Sequence, residues 1–153
     1  MKGCIIKNEK ISIKNVYNFI ENMEEYNWLI TDIECYPNNV EIARVLGENY
    51  CWIEGKKLKS LLEQEDFQWI WGVFSAFSPD IIFEEVLKYD YPYADGNQRF
   101  WENPVKIQHP LALLEIVAWD GRLILVISRK SEVIDKLIEN IKYTLDLEEY
   151  NLK

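Results

Sequence analysis

Two apolar, β-rich runs, Leu111 to Trp119 and Leu123 to Ser128, flank Asp120-Gly121. Asp-Gly between such runs is a strong hairpin signal, because both residues accept the positive φ of a primed turn. An isolated hairpin is marginal in water, so this one has to be covered or extended. The next segment offers the cover. Val133, Ile134, Leu137, Ile138, Ile141 and Leu145 recur at helical spacing, with Ser131 as the expected N-cap.

Upstream segments add strands and helices in alternation. Residues 3–7 read as a short opening strand, and Val16, Phe19, Ile20 and Met23 give 13–24 a helical spacing. Trp28 to Tyr36 reads as a strand closed by Pro37-Asn38-Asn39, and it presents an edge on which two chains can pair as a homodimer. Gly47 interrupts an ambiguous stretch over 40–49; a strand at Tyr50 to Ile53 and a short helix at Leu58 to Gln64 follow. In FQWIWGVFSAF (67–77), Phe67, Trp69, Trp71 and Val73 are expected on one face and Ile70, Phe74 and Ala76 on the other. That pattern is a central strand covered on both sides. Ser78-Pro79-Asp80 predicts a helix start, with the helix running to about Lys88 and burying Ile82, Val86 and Tyr89 along one stripe. The expected fold class is α+β: a single domain over 1–153, a mostly antiparallel sheet with three or four helices packed on one side.

Residues 89–110 stand outside this order, with three prolines and little periodicity. Structureless stretches longer than about 12–15 residues are uncommon in compact domains and are often functional.

Charge narrows the partner. The chain has 26 Asp+Glu against 17 Lys+Arg, a net charge of -9. Residues 1–60 hold 8 basic and 9 acidic side chains, so nearly all of the excess lies in 61–153. Nucleic acid is disfavoured as a ligand because phosphate binding rests on Lys/Arg contacts, and an acidic membrane surface is disfavoured for the same reason. A basic protein is favoured. MKGCIIKNEK lacks the apolar run of a secretory signal, and the longest uncharged run, Phe67 to Pro79, is too short to span a bilayer of about 20 helical residues. Three cysteines without a CxxC pair fit a reducing compartment, so a cytoplasmic location is expected.

Catalytic equipment is sparse: one histidine, and no GxGxxG, GxxxxGK[ST], GxSxG or HExxH pattern. No cofactor is expected. One hydrolytic arrangement is conceivable. Asp32 and, 22 residues later, Glu54-Gly55-Lys56 resemble the carboxylates and lysine of a metal-dependent nuclease. Asp32 and Glu34 share a strand face at i, i+2, which suits a cation or a solvated edge; Cys35 opposite reads as a buried thiol. His109 reads as a turn histidine just before a strand. Glu115, mid-strand among apolar residues, calls for Arg122 or Arg129 as a partner if buried. Trp69 and Trp71 read as core. A small-molecule regulator with a pocket between the sheet and the 89–110 loop is a further alternative.

The aromatic strand FQWIWGVFSAF and the closing HPLALLEIVAWDGRLILVISRKSEVIDKL, with the acidic surface, resemble small cytosolic α+β proteins of Gram-positive bacteria described as immunity proteins to polymorphic or contact-dependent toxins. The resemblance implies a non-enzymatic module that masks a toxin domain. The residues expected to meet a basic partner come from the loop itself: Asp90, Tyr91, Tyr93, Asp95, Phe100, Trp101 and Glu102, aromatics set among acids.

Overall fold

The hairpin grows into a seven-stranded sheet in which every neighbouring pair is antiparallel. A computed structural model describes all residues, Met1–Lys153. The strands are β1 (Lys2–Ile6), β2 (Asn27–Cys35), β3 (Tyr50–Glu54), β4 (Trp69–Phe77), β5 (Leu114–Trp119), β6 (Leu123–Ser128) and β7 (Thr144–Asp146), in the spatial order β3-β2-β4-β5-β6-β1-β7. The β5–β6 register runs from Leu114↔Ser128 to Trp119↔Leu123. At its turn Asp120 and Gly121 take φ of 52° and 69°, and the Arg122 N–H donates to the Trp119 carbonyl. The α+β class and the antiparallel sheet are as the sequence predicts.

Because side chains alternate along strands, the sheet presents two apolar faces. The first carries Cys4, Ile6, Trp28, Ile30, Phe74, Ala76, Leu114, Ile116, Ala118, Ile124 and Val126. Helices α1 (Ile13–Phe19), α2 (Val40–Leu46), α3 (Gly55–Gln64) and α5 (Ser131–Asn140) cover it with Val16, Tyr17, Ile42, Leu58 and Ile134. The second face, with Ile5, Leu29, Val73, Phe77, Val117, Leu125 and Ile127, is covered by the connection from β4 to β5 and by α6 (Leu147–Asn151).

Four expectations change. The 13–24 helix ends at Phe19, where Ile20 is extended, and a single 3-10 turn follows at Met23–Glu25. The helix expected from Ser78 shrinks to α4 (Phe83–Val86): Ser78 Oγ caps only a turn, because Ile82 is extended and carries Phe83 back onto β3. The last helix stops at Asn140; Tyr143 at φ 65° turns the chain, and Leu145 pairs with Ile5 in a strand that the helical reading had absorbed. Its N-cap is Lys130 rather than Ser131. Finally, the first half of the Trp28–Tyr36 strand is not an edge: Trp28–Thr31 lies between β3 and β4, while beyond Thr31 the strand pairs with β4 alone, and the terminal strands are β3 and β7.

Residues 67–71 do not keep one face. Between β2 and β4 the register slips at Thr31/Glu34 and again at Glu34/Cys35, first adding a residue to β2 and then one to β4. Phe67 and Trp69 therefore pack with Phe74 on the first face, while Trp71 meets Trp119 edge-on at 5.0 Å on the second.

Gly55 marks a close approach. Tyr17 Oη donates to its carbonyl at 2.6 Å, and a Cβ added there lies 2.5 Å from the Met23 carbonyl oxygen and 2.6 Å from that of Glu24. Backbone on both sides has no rotamer to give. Gly55→Ala is expected to lower unfolding free energy by about 1–3 kcal/mol, read from urea midpoints against wild type; an unchanged midpoint would show that α3 shifts freely.

Candidate functional site

The segment over the second face sends single apolar side chains down to the sheet between exposed ones, alternating strictly only over 91–95. Val86, Pro92, Ala94, Phe100, Val105, Ile107 and Ala112 point down and are buried. Tyr89, Tyr91 and Tyr93 point out, 40%, 40% and 46% exposed.

Polar pins hold this cover in place. Asp32 is the first. It has φ 51° at the β2 bulge, a left-handed conformation that Asp tolerates better than most residues. Its Oδ2 accepts from the backbone N–H of Ala94 at 2.8 Å and of Asp95 at 2.9 Å. Gln108 is the second: its Oε1 accepts from the Tyr93 N–H and from Asn97 Nδ2, both at 3.0 Å, and Asn97 also donates to the Tyr93 carbonyl. His109 is the third. Its Nε2 lies 2.9 Å from the Val86 carbonyl and its Nδ1 accepts from the Leu111 N–H, so the ring is neutral with the proton on Nε2. Burial lowers its pKa, partly offset by the Val86 bond.

Glu115 lies beneath them, fully buried opposite Ser75 on β4. Its Oε2 accepts from the Gln108 N–H at 3.1 Å, while Oε1, Ser75 Oγ and Thr31 Oγ1 have no hydrogen-bond partner. Neither expected arginine reaches it. Arg129 donates instead to the Ala112 and Pro110 carbonyls, and Arg122 is exposed at the turn. Desolvation pushes the Glu115 carboxyl up to about 7, against smaller opposing hydrogen bonds from Gln108.

On the outside, aromatic rings link the cover to β3. Phe83 stacks on Trp52 at 5.1 Å, and Tyr50 meets Phe83 at 5.3 Å and Tyr91 at 5.6 Å. Ile82 and Leu87 add apolar surface, 57% and 45% exposed. Residues 80–95 carry five acids (Asp80, Glu84, Glu85, Asp90 and Asp95) against the single cation Lys88, which pairs with Glu85 at 3.1 Å.

The seven residues expected at a partner surface divide. Asp90, Tyr91, Tyr93 and Asp95 are exposed and adjacent. Phe100 is a correction: 2% exposed, it belongs to the core under the loop, because the 3-10 turn Gln98–Trp101 turns it inward beside Trp119. Trp101 is half-buried against Trp119 and Tyr150. Glu102 is exposed but lines a separate hollow of about 380 Å³ with Arg99, Asn103 and Lys106. Ile82 and Tyr89, expected inside a helical stripe, are exposed because that helix shrinks to Phe83–Val86 and only Val86 stays buried. Tyr50 joins the surface through the position of β3 at the sheet margin, and Leu87 joins it without a local signal.

The nuclease-like set does not assemble. Asn27 lies opposite Glu54 and Thr31 opposite Tyr50, so Asp32 stands about 17 Å along β2 from the Glu54 end, at 3.4 Å per residue. No group of three or more His, Cys, Asp and Glu side chains is placed to hold a metal ion. Glu34 is exposed on the far side of the bulge. Burial raises the thiols of Cys4 to about 12 and of Cys35 and Cys51 to about 11, which keeps them protonated at neutral pH. A hollow of about 440 Å³ lies on the helical face between the Met23 turn and α5, lined by Phe19, Tyr26, Leu113, Val133, Arg129 and Lys136. No helix is long and apolar enough to cross a membrane.

The chain matches no family model, and no curated protein or solved structure matches it.

Two outcomes follow from the pins. Asp32→Asn keeps the left-handed backbone tolerable but removes the charge that two N–H groups share. It is expected to cost about 1.5–3 kcal/mol and to speed tryptic cleavage at Arg99 and Lys106; equal cleavage rates would show that the loop is held elsewhere. Glu115 and His109 give opposed pH dependences. With its folded pKa near 7 against 4.5 when free, Glu115 favours the fold at low pH and loses that contribution as pH rises from 4.5 through 7. His109, lowered in the fold, weakens it as pH falls below 6.5. Glu115→Gln is expected to remove the first limb only, becoming more stable than wild type by about 3 kcal/mol at pH 8 and not at pH 4.5. Parallel urea-midpoint curves for the two proteins would refute a carboxyl held protonated.

Proposed function

We propose that this protein is a non-enzymatic binding module that masks a basic protein partner, as a toxin-neutralising immunity protein does. The observation that carries this reading is the surface formed by Tyr50, Ile82, Leu87, Tyr89, Tyr91 and Tyr93. These are six of the large hydrophobic side chains left exposed, interleaved with five acids and one already paired lysine. Tyrosine supplies large contact area at low entropy cost, and it is enriched at the few positions that dominate binding energy. The acids steer a cationic partner and select against anionic ones. A surface of this kind costs solubility when left open, and the net charge of -9 offsets that cost.

The hydrolase alternative has no comparable support. Asp32, its leading residue, already holds two loop N–H groups.

Capture from the native cell with the tagged chain tests the proposal, run beside a Tyr89→Ala/Tyr91→Ala/Tyr93→Ala variant. The three rings are 40–46% exposed, so the variant is expected to fold. A basic partner is expected to be retained at low salt, released at high salt, and bound about 100-fold more weakly by the variant. The partner's own activity should fall to background in the complex. Salt-insensitive capture, or equal capture by the variant, would sink the assignment of this surface; an unaffected partner activity would sink the inhibitor.

A further inference from the structure

We propose that the open edge of β3 accepts an extended, lysine- or arginine-rich segment of the partner as an eighth strand, with Tyr50 and Trp52 supplying both the ladder and the rings beside it. The inference rests on the basic-partner reading for the chemistry of the incoming segment, and on backbone geometry for the edge.

The direction of each β3 peptide follows from one hydrogen bond. The Gly55 N–H donates to the Tyr26 carbonyl at 2.8 Å, and Glu54 lies opposite Asn27. In an antiparallel ladder this makes Glu54↔Asn27 a non-hydrogen-bonded pair, and the pairs alternate from there. Cys51 and Ile53 therefore exchange bonds with Ile30 and Trp28. The N–H and C=O groups of Tyr50 and Trp52 and the N–H of Glu54 point away from β2, to a side where β3 has no neighbouring strand; the Glu54 C=O, at the N-cap of α3, serves that helix instead. Tyr50 and Glu54 are exposed and Trp52 is half-exposed. Three donors and two acceptors thus stand in line at a free margin.

The opposite margin is different. There β7 has three residues, and Thr144 is buried. The usual blunting devices of an edge, a proline or an inward lysine, are missing from Tyr50-Cys51-Trp52-Ile53-Glu54.

Charge and rings choose the occupant. On an added strand, alternate side chains would lie over the second face, where the Tyr50 and Tyr91 rings meet 5.6 Å apart and Glu84 and Asp90 of the cover are exposed. Cationic side chains at every second position fit that row through cation–π contact and opposite charge. A second copy of this chain would bring another net charge of -9 to the same margin.

Amide exchange by NMR on the full chain tests this, using a short capped peptide that alternates lysine and valine. In the free protein, Cys51 and Ile53 amides are expected to exchange slowly and those of Tyr50, Trp52 and Glu54 quickly. Peptide should slow these three by about tenfold or more, and a glutamate–valine peptide of equal length should not. Tyr50→Pro, which removes an outward donor at the first strand position, should weaken the peptide by about tenfold relative to Tyr50→Thr, which keeps it. Peptide that shifts the tyrosine resonances without slowing the three amides would overturn strand addition and leave the tyrosine surface standing. Slowed amides that are indifferent to the triple tyrosine variant would do the reverse. Protection that rises with protein concentration alone would assign the edge to a second copy, and no binding at millimolar peptide would overturn the proposal outright.

Discussion

A seven-stranded sheet with two apolar faces needs two covers, and the four longer helices of this chain provide only one, with the short α6 reaching part of the other. α1, α2, α3 and α5 lie together on the first face. The second depends on the β4–β5 connection, a segment with one four-residue helix and one 3-10 turn. Hydrophobic burial alone does not fix such a segment, since Ala94, Val105 and Ile107 offer little area each and irregular backbone leaves its polar groups unpaired. The cover is therefore held by directed polar contacts, and the most consequential is Asp32, which closes two N–H groups at the loop's centre from a bulge in the sheet below.

That arrangement has an electrostatic consequence. Gln108 bonds the Tyr93 N–H and Asn97 through its side chain and Glu115 through its backbone, so loop and sheet share one polar network under an apolar lid. Glu115 receives no cation there, and the network accommodates it by favouring the protonated carboxyl rather than by ion pairing. His109, held neutral by a donor on one side and an acceptor on the other, follows the same logic with the opposite charge. Burial thus pushes two titratable groups toward their uncharged forms beneath a surface whose charged groups are mostly anionic.

Regular elements were legible where periodicity was local. The Asp120-Gly121 hairpin, the two covered faces of β4, and the α5 stripe each follow from spacing within a dozen residues. The helix at 78–88 misled because Ser78-Pro79-Asp80 has the right local chemistry for a helix start, while the structure uses Ile82 and Phe83 to reach Trp52, a contact set by β3. β7 was hidden for a related reason: Leu145 continues a helical stripe, and only pairing with Ile5 reveals a strand. At the candidate surface, the aromatic–acidic composition of the loop marked Asp90, Tyr91, Tyr93 and Asp95, but composition carries no direction. Phe100 and Tyr93 look alike in the sequence and face opposite ways in the fold. Asp32 looked like a ligand because its role as a backbone acceptor depends on a bulge that no single-strand pattern announces.

The tyrosine surface and the β3 margin belong to one structural solution. Phe83 and Tyr91 pack on Trp52 and Tyr50 at a side of the sheet that no eighth strand continues. Extending the sheet within the chain would have hidden the rings; capping it with lysine would have cancelled the acids of 80–95. Leaving β3 terminal keeps both the outward peptide groups and the rings accessible in one place. The bulged Asp32, by fixing Ala94 and Asp95, holds the neighbouring Tyr93 and Tyr91 in register with that margin. A partner of the proposed kind would therefore meet the rings and the open peptide edge together, and binding at one would lower the entropic cost of binding at the other.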